Sequence, residues 1–219
     1  MGYDRCYAFV YAFQTKLINN LPNLFPWMYY YIAPFLAYVL TLPLVKYGPF
    51  LIARIVLLLS LLFAFRKSYK FKLKLDTLSI FIGALIFLVW VMLEGFYPLL
   101  GESSYAPPNQ LLMWARVFSF VAITPLIEEF FTRNFLARIL VSNKWKKVRL
   151  GKFTPVSFIL ITLFFAFSHN RWLPGLVAGI LLNYLIFKKK SMSSVIVAHT
   201  TANLLLAIYI VYTQSWFFW

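Results

Sequence analysis

The chain has 219 residues, 62% of them hydrophobic and only 12% charged, yet its formal net charge is +15. So few charges exclude an ordinary soluble domain, in which about a quarter of residues are charged, and the chain reads as an all-α, polytopic membrane protein. The positive excess argues for nucleic acid only in a soluble protein; here the basic residues gather in short connections between apolar runs, so topology accounts for them and no nucleic-acid partner is expected.

The N-terminal stretch, residues 1–23, mixes Asp4, Arg5 and Lys16 with aromatics and lacks the apolar core of a signal peptide. It reads as an amphipathic lead-in on the membrane surface. Its Cys6 is the only cysteine, so no intrachain disulfide can form. Seven apolar runs follow, at 26–47, 49–65, 77–100, 110–141, 155–170, 174–188 and 193–217. Each approaches the roughly 20 residues that cross hydrocarbon as a helix. Basic clusters follow the second run (Arg66, Lys67, Lys70, Lys72, Lys74), the fourth (Lys144, Lys146, Lys147, Arg149, Lys152) and the sixth (Lys188, Lys189, Lys190). By the positive-inside rule those connections are cytoplasmic, which places the N-terminus inside and the C-terminus outside. Aromatic belts fit, with Trp27, Tyr29, Tyr30 and Tyr31 opening the first span and Trp216, Phe217, Phe218 and Trp219 closing the last. The fourth run exceeds one crossing, so its helix is expected to project into the cytoplasm beyond Arg138. Arg54, Glu94 and Arg116 share the outer side, where pairing or snorkelling satisfies them.

Two carboxylates, Glu128 and Glu129, interrupt the fourth run. A charge at that depth costs roughly 2.5 to 3.5 kcal/mol even on the mildest insertion scale, so function is sought there first. Glu129 and Arg133 are four apart and form an ion pair on one helical face, while Glu128 projects about 100° away without that partner. A poorly solvated, unpaired carboxylate has a raised pKa suited to moving protons. Pro125 removes a backbone donor and opens room for water beside it. The fifth run ends at His169; the seventh carries His199 and Asn203, again four apart, as donors for a developing oxyanion. Gly175 and Gly179 give the sixth span a small-xxx-small surface for close packing. Along straight helices, His199 stands roughly 9–13 Å above the inner boundary, and Glu128 and His169 roughly 20 Å. Tilt, the Pro125 kink or a cytoplasmic extension of the fourth helix has to bring them level.

The pattern Glu128-Glu129-x-x-x-Arg133, Phe165-x-x-x-His169 and His199-x-x-x-Asn203, in that order on separate apolar helices, resembles the CPBP (CAAX protease and bacteriocin-processing, or Abi) intramembrane proteases, whose eukaryotic member is the Ras-converting CAAX endoprotease. The resemblance covers about residues 110 to 210. It divides the chain into a lead-in with three accessory spans, 1–105, and a catalytic core, 106–219. It implies a conical intramembrane cavity within the last four helices. Carried over, Glu128 activates the hydrolytic water with His169, His199 and Asn203 stabilise the oxyanion, and Glu129 with Arg133 holds the first carboxylate in place, beside Phe165 of the motif. The implied activity is a glutamate-dependent endopeptidase that cuts near the C-terminus of a membrane-associated or lipid-modified protein, without a cofactor. The compact chain with Lys-rich inner loops looks prokaryotic, which argues for a bacterial or archaeal cytoplasmic membrane and against a prenylated substrate. The ending is similar to that of CAAX-protease-related proteins accompanying C-terminal sorting systems, which implies a sorting-system partner.

Two other readings use the same residues. Two histidines and two glutamates could ligate zinc in a three-ligand open site, although no His-Glu-x-x-His spacing puts two ligands on one helical face. Alternatively, the chain is a membrane scaffold or transporter with a histidine proton relay, although no internal repeat of the kind common in transporters is evident.

Overall fold

The structure, a computed structural model, describes residues 28–69, 71–101 and 104–219. The lead-in, Cys6, Trp27 and Lys70 lie outside the described residues. Within them, each of the seven apolar runs carries one principal helix and no strand occurs. We number the helices α1 (Met28–Leu44), α2 (Gly48–Ala64), α3 (Thr77–Met92), α4 (Gln110–Ile139), α5 (Pro155–Phe167), α6 (Trp172–Lys189) and α7 (Met192–Thr213). Only α4 and α7 are both long and apolar enough to cross a membrane by length and composition. Side-chain caps fix where three of the helices begin. Asp76 accepts from the Ser79 amide at the start of α3, Asn109 from Leu112 at the start of α4, and Thr154 and Ser157 form a capping box on α5.

The fourth helix ends one residue past Arg138, so no helical extension continues beyond that arginine. Arg138 donates to the Val148 and Lys146 carbonyls, at 2.8 and 3.0 Å, and stacks on Trp145, so the following connection folds back over the helix end.

Missing side chains set the closest helix contacts. α3 packs along α7, where a Cβ on Gly83 would collide with the Ala198 carbonyl oxygen and lie 2.7 Å from Thr201 Cβ. The small-residue surface read on α6 does pack: a Cβ on Gly175 would sit 3.3 Å from Ala166 Cα, and one on Gly179 3.2 Å from the Thr162 carbonyl, both on α5. Asp76 then ties α3 to the α6–α7 connection, through Lys189 at 3.0 Å and the Ser194 hydroxyl at 3.2 Å. The outward faces remain apolar: Val56 and Phe63 on α2, Phe81 and Met92 on α3, Ile159 on α5 and Ile208 on α7 are all exposed. Helices apolar on both faces suit hydrocarbon on one side and protein on the other.

At the end of the bundle that carries Glu94, two expectations change. Glu94 pairs with neither Arg54 nor Arg116 but with Arg171, which grips it through Nε and Nη2 at 2.7 and 2.8 Å. The terminal aromatics do not all form a belt. After α7 the chain turns at Gln214, whose φ is 57°, and Phe218 and Trp219 fold inward against Leu206 and Ile210, leaving Phe217 exposed. Burial of their large apolar area outweighs an interfacial position.

Candidate active site

The middle of α4 is not a regular helix. Two π-helical turns, Ser119–Ile123 and Phe130–Leu136, flank the α-helical segment Thr124–Glu129 that holds both glutamates. Pro125 has no N–H for the carbonyl four residues back, and the turn before it is already widened: the Thr124 amide reaches the Ser119 carbonyl, five back.

Glu129 is fully buried. Its Oε1 accepts from Arg133 Nη1 at 3.0 Å, the pairing that the four-residue spacing anticipates, and also from His199 Nδ1 at 2.8 Å. Arg133 is equally buried. It also donates to Thr132 Oγ1 at 3.0 Å and to Asn183 Oδ1 at 3.3 Å, and Asn183 in turn donates to Thr162 Oγ1 at 3.0 Å. One glutamate, one arginine, one histidine and three neutral side chains thus join α4, α5, α6 and α7.

Glu128 stands apart from that network. Its Oε2 has no hydrogen-bond partner within the protein and lies 3.9 Å from His199 Nε2. The Tyr38 phenol of α1 lines the same cavity as Glu128. The Phe165 ring organises this space: Arg133 stacks over it at 4.3 Å, and the His169 and His199 rings lie 4.8 and 5.8 Å from it.

Hydrogen bonding fixes the imidazole tautomers. His169 Nδ1 is 2.7 Å from the Phe165 carbonyl oxygen, which can only accept, so Nδ1 carries the proton and Nε2 keeps its lone pair. His199 Nδ1 donates to the Glu129 carboxylate, which turns Nε2 toward Glu128. Asn203 donates to the Phe120 carbonyl at 2.8 Å, at the π turn. A cavity of about 120 Å³ is lined by Glu128, His169, His199 and Asn203 together with Phe165, Tyr38 and Trp90. All five candidate polar residues and both orienting ones therefore converge. The depth mismatch expected from straight helices is absent, and no cytoplasmic extension of α4 is needed to remove it. Among the described residues, no three His, Cys, Asp or Glu side chains are placed to hold a metal ion.

Residues 109–205, which run from the start of α4 through most of α7, match the family model of type II CAAX prenyl endopeptidases, Rce1-like. This segment is of the CAAX protease family. No curated protein and no solved structure matches the chain. The Rce1-like segment contains Glu128, Glu129, Arg133, Phe165, His169, His199 and Asn203, whereas Tyr38 and Trp90 reach the same cavity from outside it. Tyr38 and Asn183 are the contributors that the sequence alone does not single out. Asn183 carries one signal, a lone carboxamide between Leu182 and Tyr184 in an apolar helix; Tyr38 carries none.

Proposed function

We propose that this chain is an intramembrane endopeptidase in which Glu128 and His169 activate the attacking water. The observation that carries the reading is the unequal treatment of two adjacent glutamates. Glu129 is consumed by Arg133 and His199, while Glu128 presents an unpartnered oxygen to a cavity into which a bare imidazole nitrogen also faces. Glu128 takes a proton from water as hydroxide adds to the scissile carbonyl, and returns it to the departing amine. The oxyanion formed between those steps is stabilised by Asn203 and by the His199 ring that Glu129 holds. Arg133, stacked on Phe165, keeps Glu129 in place.

The substrate is a membrane-associated or lipid-modified protein cut near its C-terminus, and a sorting system is the proposed partner. The residence is a bacterial or archaeal cytoplasmic membrane, with the N-terminus inside and α1 to α3 acting as an accessory part ahead of the core at 106–219. A zinc-dependent reading draws on one observation: both histidines use Nδ1 in a hydrogen bond, which leaves each Nε2 available as a metal ligand.

One experiment separates these readings. Purified protein is incubated with membranes of its source cells in ¹⁸O-water, and new protein C-termini are scored for the isotope. Wild type is expected to produce labelled termini that 1,10-phenanthroline does not suppress, and Glu128→Gln to produce at least about 100-fold fewer. Suppression by the chelator with rescue by zinc would move the chemistry to a metal. Labelled termini from Glu128→Gln would remove Glu128 from the mechanism.

A further inference from the structure

Tyr38 lies on α1, outside the segment that matches the family, yet it lines the catalytic cavity together with Glu128 and Thr124. Its phenol is close enough to the Glu128 carboxylate and to the Thr124 hydroxyl to interact with both. Arg54 of α2, which does not line that cavity, grips the tyrosine from behind. Its guanidinium stacks over the Tyr38 ring at 4.6 Å, Nη2 donates to the Tyr38 carbonyl at 3.3 Å, and Nε donates to Thr41 Oγ1 at 3.1 Å on the next turn of α1. Nη1 reaches Ser119 Oγ on α4 at 3.5 Å. Arg54 is 5% exposed, and among the described residues it has no carboxylate within ion-pair distance. A buried guanidinium with only neutral partners does not recover the cost of leaving water, so stability does not account for its presence. What it secures is one orientation of Tyr38.

Glu128 lacks a comparable hold. Arg133 and His199 fix Glu129, whereas Glu128 Oε2 has no hydrogen-bond partner within the protein and lies 3.9 Å from His199 Nε2. The last torsion of a glutamate side chain is broad, so without a donor the plane of the carboxylate is not set. A phenol is a donor that keeps its proton at neutral pH. We propose that Tyr38 is a positioning residue: its O–H donates to one oxygen of Glu128 and turns the other toward the water activated with His169. The inference rests on the peptidase reading for its consequence in turnover. The proton taken from water goes to the free oxygen of Glu128 and then to the departing amine, and the phenol retains its own throughout. The matched segment is then not a complete catalytic unit, because α1 orients its base and α2 holds the residue that does so.

The first arm of the test needs no substrate. Unfolding of the full-length protein by dodecyl sulfate in mixed micelles is measured for wild type, Tyr38→Phe, Glu128→Ala and the double variant. Phenylalanine keeps the ring under Arg54 and removes only the hydroxyl. It is expected to raise the unfolding constant at least about tenfold in the wild-type background, the worth of one hydrogen bond to a charged group, and hardly at all in Glu128→Ala. Equal effects in the two backgrounds overturn the proposal. The second arm follows ¹⁸O-labelled C-termini released from source-cell membranes. Tyr38→Phe is expected to slow their appearance at least about tenfold even with membranes in excess, which places the loss in turnover and not in capture. A variant that turns over at the wild-type rate also overturns the proposal. If wild type itself releases no labelled termini, the peptidase reading fails, and the coupling in the first arm still decides whether Tyr38 holds Glu128.

Discussion

Glu128 and Glu129 differ by one position and by nearly everything that surrounds them. Helical rotation sends one to the buried Arg133 and the other to the cavity. The consequence for Glu129 is a two-part role: it anchors Arg133 and sets the His199 tautomer. Glu129→Gln keeps the shape but removes the charge that pairs with Arg133 and accepts from His199 Nδ1. We expect turnover to fall about 10²- to 10⁴-fold in that variant, the range assigned to a lost acid-base group, with substrate binding nearly unchanged. Single-turnover cleavage beside peptide binding measures this, and a change confined to binding would contradict it. Arg133→Ala leaves Glu129 buried without its cation, which should cost about 3 to 5 kcal/mol; a thermal midpoint in detergent close to wild type would argue against a shared network. The Glu129–Arg133 pair was legible because spacing within one helix carries geometry. The Glu129–His199 bond was not: nothing local encodes a contact across 70 residues, and the sequence assigned His199 to the oxyanion without seeing its carboxylate partner.

At the scale of elements, hydropathy located all seven helices and the starts of α3, α4 and α5, which Asp76, Asn109 and Thr154 cap, but overran C-terminal ends: the run to residue 100 stops as a helix at Met92, and the run to 141 stops at Ile139, where Arg138 ties down the following connection. The π turns of α4 were equally hidden, with Pro125 their only trace. Gly83 has a definite consequence: Gly83→Leu forces α3 off the Ala198 carbonyl, and folded yield should fall sharply relative to Gly95→Leu, which meets nothing within 4 Å. Gly95→Leu is not free of cost, since its φ of 84° suits glycine. The Asp76 hub answers to pH. Partial burial works against its charge, yet bonds from Ser79 and Lys189 hold the carboxyl at about 2, below its ordinary 3.8. A depressed carboxyl adds stability that is full above about pH 4 and is lost as pH falls through about 2. Asp76→Asn should therefore lower the thermal midpoint at pH 7, by roughly the 0.5 to 2 kcal/mol of a lost N-cap, and lower it less at pH 3. An equal loss at both values would mean that the charge contributes nothing.

For the whole molecule, the family pattern covers only residues 109–205, while the walls of the cavity come from every helix except α2 and from the C-terminal tail. α1 supplies Tyr38, α3 supplies Trp90, and the inward-folded tail supplies Phe218. The sequence treated the tail as an interfacial belt because aromatic clusters at span ends ordinarily are one; its inward fold depends on the hollow between α3, α4 and α7, which exists only after those helices assemble. Helices as short as α3, about 24 Å at 1.5 Å per residue, would thin the bilayer around this half of the protein.

The central claim is that Glu128 makes this protein a protease, and it meets its most direct test in the source cells. Membrane-protein C-termini are compared by mass spectrometry between wild type and a strain carrying Glu128→Gln at equal abundance. The expected result is a small set of proteins whose trimmed C-termini become intact in the variant, each lacking only a few terminal residues in wild type. Identical C-termini in the two strains, with the variant folded and present in the membrane, would contradict proteolysis by this site.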